Sequence, residues 1–164
     1  MFLKQGALPR FEAGPGPPTM SSRGSQFAPS EKVLTGDFEA PRPPEPVPAV
    51  LWGPDDDTRL LLRGLLRLHR YPVAYEARTI EELEQLPSSV QPRLLLVDVP
   101  VEAGHWSAEL ERALRVHIDL RPVVILPAGR PAAEAEAIRA GARAVLPRPF
   151  VIQEFVRAVA KALS

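Results

Sequence analysis

The chain has 164 residues with 20 basic and 20 acidic side chains and a formal net charge of zero. That length suits one domain with a proper core, and the charge balance offers no net field toward nucleic acid or an anionic membrane surface. With no cysteine and only three scattered histidines, His69, His105 and His117, a disulfide framework, a thiolate nucleophile and a cysteine zinc site are excluded, and the histidines make a poor metal set.

Residues 1–48 hold ten of the twenty prolines and five of the ten glycines and end in APRPPEPVP. Such a stretch buries too little apolar surface to offset its ordering entropy, so a disordered proline-rich tail is expected there. Its two small apolar clusters, Phe2, Leu3, Leu8, Phe11 and Val33, Leu34, Phe38, read as part of a tether or as short partner-binding motifs. No apolar run approaches the roughly eighteen residues of a membrane span, and MFLKQGALPRFEAG lacks the apolar stretch of a secretory signal. A cytoplasmic protein is expected.

From Ala49 short apolar runs alternate with helix-period segments, the pattern of β-α-β units and a parallel sheet. AVLW at 49–52 reads as the first strand. Residues 58–70 read as the first helix, with Leu61, Leu62, Leu65 and Leu66 inward and Arg59, Arg63, Arg67 and Arg70 on a solvated face. Residues 72–76 make a short outer strand. Thr79 and Glu82 have capping-box spacing, so a second helix starts there, buries Ile80, Leu83 and Leu86, and stops at Pro87. Leu94-Leu95-Leu96-Val97 is continuously apolar, as a strand covered on both faces must be, and it delivers Asp98 to its C-terminal end. A third helix is expected over 107–117, a fourth strand over 122–126 and a fourth helix starting at Pro131 with Gly141 at its C′ position. Residues 142–146 then read as the fifth strand. Val151, Phe155, Val159 and Ala162 mark a final helix whose stripe Ile152, Val156 and Leu163 widen.

The segment Ile138-Arg-Ala-Gly-Ala-Arg-Ala-Val-Leu-Pro-Arg-Pro-Phe150, with the helix that follows it, resembles the closing segment of bacterial response-regulator receiver (CheY-like) domains. With Leu-Leu-Leu-Val-Asp98 and the early β-α-β unit, the resemblance covers nearly all of residues 49–164. It implies a flavodoxin-like, doubly wound five-stranded parallel sheet of order 2-1-3-4-5 with its site at the C-terminal strand edges. In such domains a histidine kinase donates a phosphoryl group to an ionised aspartate. Neighbouring acids hold magnesium, and a lysine and a hydroxyl receive the charge on the phosphoryl oxygens.

Carried over residue by residue, the resemblance makes Asp98 the phosphoacceptor equivalent and Arg148 the equivalent of the lysine, with Arg148-Pro149 matching a cis Lys-Pro bond. Gly53 and Pro54 fall where receivers have two adjacent acids. Asp55, Asp56 and Asp57 come just after: Asp55 or Asp56 as the ligand that with Asp98 recruits magnesium, or Asp57 or its neighbours as the cap of the first helix. Pro127 falls at the hydroxyl position and has no donor, and Val145 falls where the switching aromatic ring sits.

These departures favour a degenerate receiver, not an enzyme and without a cofactor, that binds a protein partner whether or not it is phosphorylated. The expected docking face is built by the fourth helix, fifth strand and fifth helix, and the partner is a histidine kinase or another component of a signalling complex. The alternative is a phospho-accepting single-domain regulator that uses Asp55 or Asp56 with magnesium. A third reading places a small ligand such as a flavin at the switch-point crevice, against the acidic loop Gly53-Pro54-Asp55-Asp56-Asp57 and the absence of a phosphate-binding glycine loop. Trp52 is expected to be core or crevice lining and Trp106 to pack over the edge of the core, with His105 and Trp106 also placed to meet a partner. No output module follows Ser164, so direct transcriptional control is not expected; the oligomeric state is open.

Overall fold

Consecutive residues of a strand point to opposite faces, so the uninterrupted apolar runs require cover on both sides of one sheet. The computed structural model meets that requirement; it describes residues 44–100, 102 and 104–164 together with Gly14 and Gly16. Five strands and five helices alternate: β1 Ala49–Trp52, α1 Asp56–Leu68, β2 Val73–Ala77, α2 Ile80–Glu84, β3 Leu94–Asp98, α3 Trp106–Val116, β4 Arg121–Pro127, α4 Pro131–Arg139, β5 Ala144–Arg148 and α5 Ile152–Leu163. All strand pairs are parallel and the order is β2-β1-β3-β4-β5, the flavodoxin-like winding expected from the sequence.

One face of the sheet presents Val50, Trp52, Leu95, Val97, Val124 and Leu126 to α2, α3 and α4 through Ile80, Leu83, Leu110, Ala113 and Ala137. The other presents Ala49, Leu51, Leu94, Leu96, Val123, Ile125 and Leu146 to α1 and α5 through Leu62, Leu66, Phe155, Val159 and Ala162. Each leucine or isoleucine fully withdrawn from water in these two layers contributes about 1.5–3 kcal/mol. Most of the proline-rich segment lies outside the described residues. Its last five, 44–48, have no regular structure, but Val47 packs on the second layer and the Pro48 carbonyl accepts from Arg93 N at 3.2 Å.

Details of α1, α5 and β5 differ from the sequence expectation. The helix α1 starts at Asp56 because Asp55 is its N-cap, accepting from Thr58 N at 2.7 Å. Its inward stripe is Arg59, Leu62 and Leu66, while Leu61 is 70% exposed and Leu65 half-buried; residues 59, 62 and 66 share one face at 3.6 residues per turn, and 61 does not. In α5 the buried set is Phe155, Ala158, Val159 and Ala162, which leaves Val151, Ile152 and Val156 outside. Strand β5 begins two residues late because α4 ends in a Schellman motif. Gly141 N donates to Ile138 O at 3.1 Å and Ala142 N to Ala137 O at 2.9 Å, with Gly141 at φ +107°. Ala142 therefore still belongs to the helix end. The strand runs on through Pro147, tolerated because β5 is an edge strand whose outer side needs no donor.

Candidate functional site

Parallel strands carry their C-terminal ends to one edge, and that is where β1, β3, β4 and β5 bring Gly53, Asp98, Pro127 and Arg148. Asp98 ends β3 with only 6% of its surface exposed. Burial raises its carboxyl pKa above the ordinary aspartate value; the positive charge of Arg148 opposes that shift and the negative charge of Asp55 adds to it. Arg148 Nη1 stands 2.9 Å from Asp98 Oδ1, close enough for an ion pair but without the alignment of a hydrogen bond. The other Arg148 nitrogen, Nη2, donates to Val99 O at 3.0 Å. The planar guanidinium thus bridges the end of β3 side chain to backbone, which a compact ammonium does less well. The Arg148-Pro149 bond is cis, as the resemblance implied.

Gly53 follows β1 and packs directly on Asp98. A Cβ at position 53 would stand 2.9 Å from Asp98 Cβ and 3.6 Å from its Oδ2. No side chain, a carboxylate included, fits there without a shift of neighbouring atoms. The Gly53 carbonyl accepts from Arg59 Nη1. Arg59 is 5% exposed, contrary to the solvated face expected for it, because it shares the inward stripe with Leu62 and Leu66. Its guanidinium also pairs with Asp56, which a second cation, Arg78, approaches at 3.1 Å. Asp56 is thereby committed to two arginines.

Asp55 is the acid whose charge reaches Asp98. Its own pKa is lowered, first by the hydrogen bond from Thr58 and then by Arg59 and Arg148. Asp57 is exposed beside it. Two residues past Ile125, the cross-strand partner of Asp98, stands Pro127, and the next amide, Ala128 N, is already spent on Arg148 O at 3.0 Å. Val145 is half-buried against the first apolar layer. Among the described residues no three carboxylate or imidazole side chains converge as a metal site.

Beside Asp98 opens a cavity of about 270 Å³ lined by Trp52, Pro54, Ile80, Val97, Trp106 and Glu109, among others. Both tryptophans are largely buried, at 6% and 7% exposure, so they serve as core and crevice wall at once. A larger groove of about 590 Å³ lies at the opposite end of the strands, among Arg93, Val116, Ile118, Arg121 and Arg143, and contains none of these residues. Arg59 is the member of the site that its sequence position did not announce; the signal was present in its spacing of three and seven from Leu62 and Leu66.

No protein-family model matches the chain, and no curated protein does. Solved structures are similar. A response regulator from Chloroflexus aurantiacus shares 26% identity at a TM-score of 0.63, with 73% of this chain and 98% of that one covered. The signal receiver domain of the response regulator NarL from Mycobacterium tuberculosis shares 23% identity at a TM-score of 0.62, covering 74% of this chain and 99% of that one. A pilus assembly protein from Burkholderia thailandensis shares 21% identity at a TM-score of 0.63, covering 71% and 98%. All three are similar over the five-stranded domain's length.

Proposed function

We propose, on the premise that the chain carries a receiver domain of the response-regulator fold, that this domain works by binding a protein partner independently of phosphoryl transfer, without a cofactor and without catalysing a reaction. The observation that carries the reading is the contact of Gly53 with Asp98. A phosphoacceptor aspartate needs a divalent cation beside it to neutralise the incoming oxygens, and that cation needs carboxylates. The residue that would supply one has no side chain and no room for one. Pro54, next to it, has no carboxylate, and Asp56 is held by Arg59 and Arg78. These residues do not fit a magnesium ion.

The readout side supports the same conclusion. Pro127 has no hydroxyl to follow a phosphoryl group, and Val145 has no ring to swing inward. Arg148 already occupies the space beside Asp98. Surface chemistry favours α4, β5 and α5 as the docking face: Ile138, Val151, Ile152 and Val156 are 53%, 58%, 52% and 41% exposed, which is costly apolar surface unless something covers it. The partner is a histidine kinase or another protein of a signalling complex, met in the cytoplasm; among the described residues no helix is long and apolar enough to cross a membrane.

A second reading, a phospho-accepting relay domain, is favoured by one observation, the electrostatic reach of Asp55 to Asp98. One experiment separates the two. The full chain is incubated with magnesium and a small phosphodonor such as acetyl phosphate, and intact mass is recorded. The expected result is an unmodified protein; a stable acylphosphate mapped to Asp98 would establish the second reading and end the first.

A further inference from the structure

The edge of the sheet opposite Asp98 carries a cluster of cations that the fold itself leaves largely unused. Arg93 precedes β3, Arg121 opens β4 and Arg143 precedes β5. Arg121 N donates to Arg93 O at 2.7 Å and Arg143 N to Pro122 O at 2.8 Å, so the three stand on adjacent chains at the thresholds of neighbouring strands. All three line the groove of about 590 Å³ at that end. Arg121 Nη1 donates to Ser164 O at 3.0 Å. Among the described residues Arg93 and Arg143 pair with no carboxylate, and the one acid lining the groove is Asp119. Other cations toward this edge have a local reason. Arg67, Arg115, Arg139 and Lys161 sit in the last turns of α1, α3, α4 and α5, beside the negative end of a helix dipole. Arg93, Arg121 and Arg143 belong to no helix.

Much of the remaining lining is apolar and comes from other segments. The connection between α2 and β3 contributes Val90, and the end of α3 with the loop after it contributes Val116, Ile118 and Leu120. Val116 is 58% and Ile118 80% exposed, apolar surface that gains free energy when water leaves it. A ligand suited to the groove therefore brings carboxylates for the unpaired guanidinium groups, which they take in bidentate fashion, and apolar side chains for the wall. An extended peptide supplies both, because its alternate residues point to opposite sides. Same-side residues recur at roughly 7 Å, and the chains carrying Arg93 and Arg143 are two strand spacings apart, roughly 10 Å, so acids at alternate positions reach both. Nucleic acid is the poorer fit. No phenylalanine, tyrosine or tryptophan lines the groove to stack on a base, and Asp119 opposes a run of phosphates.

We infer that this groove is a second protein-docking site, one that takes an extended acidic segment of a partner with apolar residues between its acids. It lies at the other edge of the sheet from Asp98, and engagement there is independent of whether Asp98 accepts a phosphoryl group.

Fluorescence anisotropy of the full chain with a short labelled peptide in which glutamate and leucine alternate tests it. The peptide is expected to bind saturably, and more weakly as salt rises. Arg93→Glu combined with Arg143→Glu changes only exposed positions. Circular dichroism and melting temperature should hold while the dissociation constant rises by about tenfold or more. The same variant should gain affinity for a peptide with lysine at the glutamate positions, a swap that loss of fold does not produce. Ile118→Ser should weaken binding too, as should serine in place of the peptide's leucines. The inference is overturned by no saturable binding, by binding indifferent to these substitutions, or by equal affinity for the serine-containing peptide. A single-stranded oligonucleotide, or vesicles containing phosphatidylglycerol, bound more tightly than the peptide would overturn it as well.

Discussion

Asp98 is a carboxylate with 6% of its surface exposed and one cation beside it, and its burial raises its pKa despite Arg148. Its folded form therefore keeps the proton to higher pH than the unfolded chain does, and ionising it costs the folded state more than the unfolded one. The sign follows. Its contribution to stability is fully present below the ordinary aspartate range and is lost as pH rises through the raised value. Urea denaturation of wild type and Asp98→Asn from acidic to neutral pH should show wild type losing ground to the variant as pH rises; the opposite slope would mean that Arg148 outweighs burial. The sequence resemblance singled out Gly53 through the alignment of the first helix, and Asp98, Pro127, Val145 and Arg148 through the strands and the closing segment; the structure places Gly53, Asp98, Pro127 and Arg148 at one edge of the sheet. What the letters did not carry was the contact between Gly53 and Asp98, which joins residues far apart in the chain. Nor did arginine at 59 read as core, because long cationic side chains are seldom buried unless paired.

At the scale of elements, strands were more legible than helix ends. Leu94 to Val97 and Ala49 to Trp52 are runs with no competing periodicity, and β1 occupies its expected residues while β3 only extends to Asp98. The ends of α1 depend on capping geometry. At its C-terminus Arg70 takes φ +64°, with Arg70 N donating to Arg67 O at 3.1 Å and Tyr71 N to Leu66 O at 2.9 Å. This is the same Schellman closure that Gly141 provides for α4, but built on a residue with a Cβ, which the left-handed region penalises. A sequence reader extends the helix through Arg70 because arginine is a good helix former. Arg70→Gly is expected to raise stability by about 0.5–1 kcal/mol, the left-handed strain relieved less the extra entropy glycine loses. The check is a higher urea midpoint at unchanged slope; a lower midpoint would show that the arginine side chain stabilises the helix end by more than its backbone costs.

For the whole molecule, the doubly wound sheet gathers Gly53, Asp98, Pro127 and Arg148 at one edge, and several of the charged groups there are already engaged. Asp98 faces Arg148, Asp56 is held by Arg59 and Arg78, and Asp55 caps α1. Exposed apolar surface appears instead on helices, with Val151, Ile152 and Val156 on α5 and Leu60, Leu61 and Leu68 on α1. The alternation of elements made the architecture readable, because each β-α-β unit leaves two periods in the sequence. The outer surface was less readable, since exposed leucines in an amphipathic helix look like core until packing distinguishes Leu62 from Leu61.

The central claim, that the crevice neither loads nor senses a phosphoryl group, meets its most direct test in nuclear magnetic resonance of the full chain titrated with magnesium and beryllofluoride, a stable mimic of the phosphorylated state. The account predicts that the amide resonances of Gly53, Asp98, Val99, Val145 and Arg148 stay where they are. Saturable, magnesium-dependent shifts concentrated at those amides would contradict it.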